Sequence, residues 1–392
     1  MKFKAISGLT LFLLIASFAM AQIPCGPTIN PLPTLYVNWT QYRFDMQHTG
    51  CNPYETVLST ATVGGLVLDW TYPTAAPVYG DPAVVSGVVY FTSNNYPDSG
   101  LYAVNAKTGA LLWSNAQGNG TRTPPTVTNG VVYIGQQTPN AGVYAFDAAT
   151  GDLLWHYATT YTASEVLAID GVLYAGTDFG LVALDASTGT ILWMYGTDGG
   201  VQAPALANGV LYFNSIYFSY PDTYVNTLYA LDIASRQPLW QYQWTLEDDA
   251  LINPPIVGNG KVYFHSYAFD AKTGSIVWNS QTYFDSTPAL ANGVLYVGST
   301  GSVVALNANT GVALWEFGKG AYVSSSPSVA NGVVYSESED GNLYALNAST
   351  GALLWQYKIS NQPGASGPAI ANGNVYIGSF DKNLYAYHLP GH

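Results

Sequence analysis

The chain has 392 residues, of which 48% are apolar, 14% are aromatic and only 9% are charged. This composition supplies a large core and excludes an intrinsically disordered chain. The net charge of −13 excludes nucleic acid as a partner, because binding to a phosphate backbone depends mostly on positive charge.

The first 21 residues have the pattern of a secretory signal peptide. Lys2 and Lys4 precede an apolar run from Ala5 to Phe18, and Ala19-Met20-Ala21 offers a small-residue cleavage site. The run is too short for a membrane anchor, and no other long apolar stretch follows it. We therefore expect an exported protein, periplasmic or extracellular, with no transmembrane segment. After cleavage, nine basic and 24 acidic residues remain, a net charge of −15.

Both cysteines, Cys25 and Cys51, follow the predicted cleavage site. Exported cysteines enter an oxidising compartment, where a disulfide between them would add about 3–4 kcal/mol on a chain-entropy estimate. Two free thiols are the alternative. The cysteines lie in residues 22–63, which we predict to form an N-terminal strap packed on the following domain. Arg43 and Asp45 are the expected buried pair of this strap.

Eight tryptophans then recur at intervals of 37–47 residues: Trp70, Trp113, Trp155, Trp193, Trp240, Trp278, Trp315 and Trp355. A repeat near 40 residues without a helical stripe is typical of a β-propeller blade. Each module contains four short strand patterns. Asn-Gly or similar pairs such as Asn208-Gly209 mark the turn after the first strand, and Thr-Gly pairs mark the turn after the third.

The repeats are offset in a way that predicts ring closure. Trp70 precedes the first inner strand, and the last module ends at Tyr385–Pro390 without a Thr-Gly-Trp segment. Residues near 64–72 are therefore predicted to supply the outermost strand of the last blade, which leaves no open sheet edge at that point. The prediction is an all-β, eight-bladed propeller of four-stranded antiparallel blades over residues 64–392, closed by an N-terminal outer strand.

The repeated Ala-x-Asn/Asp-x-x-Thr-Gly-x-x-x-Trp motif resembles the tryptophan-docking motif of the pyrroloquinoline-quinone (PQQ) repeat family. The resemblance implies docking of each tryptophan between blades. It also implies similarity to the propeller lipoprotein of outer-membrane barrel assembly. A further function that the resemblance suggests is that of a quinoprotein dehydrogenase. Arg236 replaces the motif's glycine in the fourth blade, where we expect a distorted turn.

Length variation is confined to one face of the predicted disc, which we call the variable face. It carries the turns between second and third strands and the links between blades. Binding residues favour variable loops on rigid scaffolds, so the fourth-blade insertion, residues 214–226, is the candidate site. The candidate binding residues are Tyr217, Phe218, Tyr220, Tyr224, Trp244, Glu247, Asp248 and Asp249. The alternative is that these aromatics only pack the loop onto the disc.

The start of each inner strand is predicted to ring the channel mouth on the variable face, including Asp81, Glu165, Gln202 and Asn253. A mixed polar ring of this kind is typical of a water-filled opening. The five histidines form no metal-ligand pair, and no Gly-x-Ser-x-Gly or Cys-x-x-Cys-His motif is present. No catalytic residue and no metal site are therefore predicted.

Three functions remain open. The first is a non-catalytic, monomeric scaffold that binds an envelope protein; the second is a carbohydrate-binding or adhesive module. The third is a quinoprotein dehydrogenase. For this function the resemblance implies PQQ, a disulfide between adjacent cysteines and a set of Asp and Glu residues that binds calcium. The chain has no adjacent cysteines and few cations on the variable face. The sequence therefore favours the scaffold, without a cofactor.

Overall fold

The computed structural model describes residues 38–94, 99–116, 123–161, 163–219, 223–246, 253–318, 320–361, 364 and 366–391. Eight sheets account for these residues, in the order of the repeats. The strands before the first blade are β1 (Cys51–Asn52) and β2 (Val67–Pro73), with a 3-10 turn at Val63–Gly65 between them. The predicted eight-bladed all-β propeller is confirmed.

The strands of blades 1–3 have three to six residues. In blade 4, three strands have ten residues each. Blade 1 comprises β3 (Ala83–Val85), β4 (Val88–Ser93), β5 (Gly100–Asn105) and β6 (Leu111–Asn115). Blade 2 comprises β7 (Thr126–Thr128), β8 (Val131–Gln136), β9 (Gly142–Asp147) and β10 (Leu153–Ala158). Blade 3 comprises β11 (Leu167–Ile169), β12 (Val172–Thr177), β13 (Gly180–Asp185) and β14 (Ile191–Gly196). Blade 4 comprises β15 (Gly200–Val201), β16 (Ala205–Ala207), β17 (Val210–Ser219), β18 (Thr223–Asp232) and β19 (Gln237–Leu246).

The last four blades return to short strands. Blade 5 comprises β20 (Ile256–Gly258), β21 (Lys261–Phe264), β22 (Tyr267–Asp270) and β23 (Ile276–Asn279). Blade 6 comprises β24 (Ala289–Ala291), β25 (Val294–Ser299), β26 (Ser302–Asn307) and β27 (Ala313–Gly318). Blade 7 comprises β28 (Ser328–Ala330), β29 (Val333–Glu337), β30 (Asn342–Asn347) and β31 (Leu353–Lys358). Blade 8 comprises β32 (Ala369–Ala371), β33 (Asn374–Gly378) and β34 (Asn383–His388).

The N-terminal strand β2 completes blade 8, as the offset of the repeats predicts. It pairs antiparallel with β34, from Val67 opposite His388 to Pro73 opposite Asn383. The indole of Trp355, on blade 7, then donates to the Leu66 carbonyl oxygen at 3.0 Å. The ring is therefore closed by strand pairing and by a tryptophan contact across the same seam.

Each blade is fastened to the next by its tryptophan. The Trp113 indole donates to the Ala148 carbonyl oxygen of blade 2 at 3.0 Å, and a Cβ added to Gly151 would lie 2.5 Å from the same ring. Glycine at that turn therefore both adopts a φ of +76° and leaves room for the indole. The same donation to the following blade is made by Trp70, Trp155, Trp240, Trp278 and Trp315.

The fourth-blade turn is not distorted as expected. Arg236 adopts a φ of +57°, and its amide donates to the Asp232 carbonyl oxygen at 2.8 Å, as glycine does at this turn in other blades. Its guanidinium lies 5.8 Å from the centre of the Trp193 ring. A cation–π contact thus occupies the space that glycine leaves to the indole elsewhere.

The N-terminal strap runs around the inside of the channel. In six blades, its backbone forms hydrogen bonds with the backbone of the central residue of the inner strand. The first of these contacts joins Trp39 to Val84, and the last joins Gly50 to Val329. The Asn52 side chain reaches a seventh blade, donating to the Ile370 carbonyl oxygen at 2.7 Å. Because the strap continues over the hairpin turns of blades 7 and 8, it fills the channel from the face opposite the variable face.

The fourth-blade insertion is mostly strand rather than loop. Strands β17 and β18 stay paired to Ser219 opposite Thr223, and β18 stays paired with β19 to Tyr224 opposite Leu246. We call residues 215–219, 223–227 and 242–246 the blade-4 extension. It rises above the variable face, since the neighbouring strands in blades 3 and 5 have four to six residues.

Candidate functional site

The mouth of the channel on the variable face holds two carboxyl groups. Asp81 precedes the inner strand of blade 1 and is 6% exposed, whereas Glu165 precedes that of blade 3 and keeps partial contact with solvent. One Asp81 oxygen, Oδ1, accepts from the Gly367 amide of blade 8 at 2.5 Å. The other, Oδ2, is buried without a partner.

Both carboxyl groups hold protons more tightly than usual. Burial raises the pKa of Asp81 to about 6, although the Arg43 charge opposes the rise. Burial also raises the pKa of Glu165 to about 7, and the Asp81 charge adds to it. The two groups therefore influence each other across the mouth, and both titrate near neutral pH.

Most other residues of the predicted ring form hydrogen bonds with backbone groups of the blades. The hydroxyls of Ser164, Ser286 and Ser325 accept from amides twelve residues later, in the second strand of the same blade. The Asn253 carboxamide donates to the Phe284 carbonyl oxygen at 3.4 Å. The backbone amide of Gln202 donates a hydrogen bond to the Asn214 carbonyl oxygen. These bonds leave the two carboxyl groups as the reactive groups of the described mouth.

The strap forms the floor beneath them. Arg43 is fully buried, and its guanidinium donates to the carbonyl oxygens of Pro288, Ser326 and Pro327 in blades 6 and 7. It makes no ion pair with Asp45, contrary to the sequence interpretation. The Asp45 carboxylate instead accepts from the amides of Gln47 and Thr49, which shapes the strap. Bonding to carbonyls explains how a guanidinium tolerates this enclosed position.

The predicted aromatic platform is divided by the register of the extension. Phe218, Tyr224 and Trp244 share the side that faces blade 5, where Trp244 packs on Phe264 at 5.3 Å. Tyr217 lies on the opposite side, since it is adjacent to Phe218 in the strand. Phe218 is 53% exposed. Tyr220, Glu247, Asp248 and Asp249 lie outside the described residues, and so does Cys25, so the bridge to Cys51 stays a prediction.

Two further groups were missed by sequence reasoning. Asn214, directly before the extension, and Asn226, within it, lie on the blade-5 side and are at most 1% exposed. Neither carboxamide has a hydrogen-bond partner among the described residues. Glu337 is fully buried at the end of β29. Its Oε1 accepts from the Gly364 amide at 3.1 Å, whereas its Oε2 has no partner. Glu337 takes the strand position that glycine holds in blades 2, 3, 6 and 8, and this break in the repeat is the signal that could have found it.

The described residues contain neither a metal-ligand cluster nor a helix that could span a membrane. No group of three or more His, Cys, Asp or Glu residues is arranged to hold a metal ion there. None of the described helices has the length and apolar character needed to cross a bilayer.

A protein-family model matches the chain three times in succession. The model carries the description "Outer membrane protein assembly factor BamB" and belongs to the PQQ-repeat type. It matches residues 55–169, 140–266 and 265–390, which together span all eight blades. No curated protein matches the chain.

Solved structures with the same fold include three dehydrogenases. A europium-containing methanol dehydrogenase superposes with a TM-score of 0.67 at 16% identity, covering 90% of this chain and 98% of the other. The quinohemoprotein alcohol dehydrogenase ADHIIG from Pseudomonas putida HK5 gives 0.69 at 18% identity, with 95% and 83% covered. A quinohemoprotein alcohol dehydrogenase from Comamonas testosteroni gives 0.68 at 15% identity, with 91% and 81% covered.

These matches contradict the interpretation of the chain as a non-catalytic binding scaffold. Three solved structures that each cover 90% or more of the chain are enzymes, and the described mouth contains carboxyl groups with pKa values suited to proton transfer. At 15–18% identity the likeness itself establishes the fold, so the activity has to be argued from the site.

Proposed function

The chain belongs to the PQQ-repeat family described as outer membrane protein assembly factor BamB, and from its channel mouth we propose that it is an oxidoreductase of the dehydrogenase type. Its substrate would be a small molecule with an alcohol group. The reaction centre would be the variable-face mouth, with Asp81 and Glu165 as its carboxyl pair. We also propose that the protein is exported, on the strength of the predicted signal peptide.

The observation that carries this proposal is the titration range of the pair. Oxidation of an alcohol removes a proton from its hydroxyl group and a hydride equivalent from its carbon. A carboxylate with a pKa near 7 is well matched to accept that proton at neutral pH. Glu165 has this property and retains contact with solvent. Carboxyl groups with perturbed pKa values are also a general indication of a functional site.

The donor set at the mouth fits a cofactor only together with a cation. PQQ carries three carboxylates, and the cation nearest the described mouth, Arg43, is enclosed by carbonyl oxygens. Carboxylate oxygens are the ligands that calcium prefers, and the unpartnered Oδ2 of Asp81 is available for one. Calcium at the unpartnered Asp81 oxygen would supply the positive charge that the quinone needs, and Glu165 would stay free to accept a proton.

With calcium and the quinone bound, the residues of the chain would have separate roles. When bound, the quinone would accept the two electrons released by the substrate. Glu165 would accept the hydroxyl proton, and Asp81, held by the Gly367 amide, would keep its free oxygen directed at the bound charge. The strap, through Arg43 and Trp39, would exclude solvent from the opposite end of the channel, since both side chains are fully buried.

The proposal is tested by dye-linked oxidation of short alcohols and D-glucose in the presence of PQQ and calcium chloride. The wild type should reduce the dye. Glu165→Gln and Asp81→Asn should each lower kcat by about 100-fold or more, the usual range for loss of a general base.

Asp152→Asn is the matched control, because Asp152 is an exposed carboxylate on a turn of the opposite face. It should leave the rate unchanged. Absence of any cofactor-dependent oxidation by the wild type, or equal rates in all three variants, would reject the proposed activity.

A further inference from the structure

A second concave surface lies away from the channel, between blades 3 and 4. Strands β12–β14 of blade 3 have six residues, whereas β17–β19 of blade 4 have ten. Four extra residues extend a strand by about 13 Å. Among the described residues, the side of the blade-4 extension that faces blade 3 is therefore uncovered above the end of β14. The groove at this step has a volume of about 280 Å³.

Register decides which side chains line the groove. Thr227 lies opposite Gln243, and Tyr229 lies opposite Gln241, so these two cross-strand pairs project from one side of the sheet. The rim from blade 3 contributes Tyr195, Gly196, Thr197 and Asp198. Tyr195 meets Tyr229 edge to face, with 6.0 Å between ring centres. These rings form a rigid aromatic end to an otherwise polar groove.

The lining has a distinct chemical character. Both glutamines are exposed, and each carboxamide can donate and accept hydrogen bonds. Thr227 is buried, and its hydroxyl is 3.4 Å from the Gln243 Nε2 atom. Asp198 adds a carboxylate, and none of the eight lining residues is positively charged. This set suits neutral hydroxyl groups, which also donate and accept, and it disfavours an anion.

We propose that this groove is a binding site for a neutral polyhydroxylated molecule, a polyol or a sugar ring. The proposal rests on the proposed function in one respect, namely that the ligand is an alcohol of the substrate's class. The groove would hold such a molecule at the rim of the variable face, outside the reaction centre. Gln241 and Gln243 would bond its hydroxyl groups, and the Tyr195–Tyr229 pair would contact its apolar carbon face.

The test is calorimetric titration of the full chain with D-glucose, with 1-propanol as a ligand that has a single hydroxyl. D-Glucose should bind saturably, and 1-propanol should not. Replacing both Gln241 and Gln243 with leucine should weaken D-glucose binding by about tenfold or more, as expected for two lost hydrogen bonds. Both positions are exposed, so the fold should persist, which circular dichroism would verify.

Gln356→Leu provides a matched control. Gln356 follows Trp355 as Gln241 follows Trp240, and it is also exposed, but blade 7 has no extension beside it. This variant should bind D-glucose as the wild type does. The proposal is overturned if the wild type shows no saturable binding, if the double variant binds equally well, or if Gln356→Leu causes the same loss.

Binding and oxidation are separate readouts. D-Glucose binding that persists in Glu165→Gln, with oxidation abolished, would support the groove and the mouth as distinct sites. Saturable binding without any oxidation by the wild type would reject the proposed function and leave the groove standing.

Discussion

At the docking turns, a glycine and an indole from adjacent blades share one space. Gly311 has a φ of +70°, and a Cβ placed on it would lie 2.7 Å from the Trp278 ring. Gly260, on an inner hairpin turn, has the same φ with nothing within 4 Å of the same point. The two positions thus separate the backbone requirement for glycine from the steric one.

We predict that Gly311→Ala destabilises the fold more than Gly260→Ala. Both changes place alanine at a left-handed φ, at a cost of about 1 kcal/mol, but only Gly311→Ala also displaces an indole. Gly311→Ala should therefore cost about 1–3 kcal/mol more in chemical denaturation. Equal losses in the two variants would contradict the account of tryptophan docking.

Glu337 makes stability depend on pH. Burial raises its pKa to about 8, and the nearby charges of Asp381 and Asp340 add to the rise, whereas the Lys358 ammonium is bonded to the Asp340 carbonyl oxygen. Between pH 4.5 and 8 the folded state keeps a proton that the unfolded state has lost. The free energy of unfolding therefore falls as pH rises through this window.

We predict that Glu337→Gln removes part of this fall. The variant should be more stable than the wild type at pH 8.5, by an amount on the order of a few kcal/mol, and should lose that advantage near pH 4. Urea titrations across the range provide the measurement, with Asp152→Asn as the control. A parallel pH dependence in wild type and Glu337→Gln would show that Glu337 is not the titrating group.

At the scale of strands, the blade-4 extension carries an energetic defect. The carboxamides of Asn226, in the extension, and Asn214, at its base, are buried without partners among the described residues, although a buried unsatisfied polar group costs about 1–3 kcal/mol. Leucine has a similar volume and needs no hydrogen bond. The extension should therefore become more stable when either asparagine is made apolar.

We predict that Asn226→Leu raises the melting temperature, in contrast to most core substitutions. Asn52→Leu is the control, since the Asn52 carboxamide is equally buried but bonds the Ile370 carbonyl oxygen. That variant should lower the melting temperature. A drop of similar size in both would mean that Asn226 has a partner in solution, such as an ordered water.

Local patterns predicted the blades well and the sites poorly, for a physical reason. The Trp113 and Gly151 pattern repeats because adjacent blades dock in the same way, so spacing alone indicated eight blades. The strap's bonds to Val84 and Val329 use backbone atoms, which leave no side-chain signature. The Asp81–Glu165 pair joins residues two blades apart, and only the closed ring shows that their charges interact.

In the blade-4 extension too, the sequence alone does not show which side of the sheet each residue occupies. Residues 214–226 are recognisable as an insertion from the sequence alone, which predicts Tyr217 and Phe218 as members of one binding site. Continued pairing of β17 and β18 places these neighbours on opposite sides of the sheet. The groove arises from a difference in strand length between two blades, which becomes visible only when both registers are known.

For the whole molecule, the strap and β2 are separable ways of closing the ring. A chain that begins at Leu66 retains β2 but lacks every strap contact with the seven inner strands. We predict that it melts at a lower temperature and less cooperatively, because the channel core is lost. A chain beginning at Gln22, after the predicted cleavage site, is the control and should fold normally. An unchanged transition in the Leu66 variant would contradict the role of the strap.

The central claim is that the carboxyl pair at the variable-face mouth performs the chemistry. The measurement that tests it most directly is the pH dependence of kcat/KM for dye-linked alcohol oxidation, in the wild type and in Glu165→Gln. The account predicts a wild-type rate that rises with pH as Glu165 loses its proton, with a midpoint no higher than about 7 because bound calcium favours the ionised carboxylate. The variant should show a low residual rate without that rise. A wild-type profile without that rise, or one that Glu165→Gln reproduces, would contradict the claim.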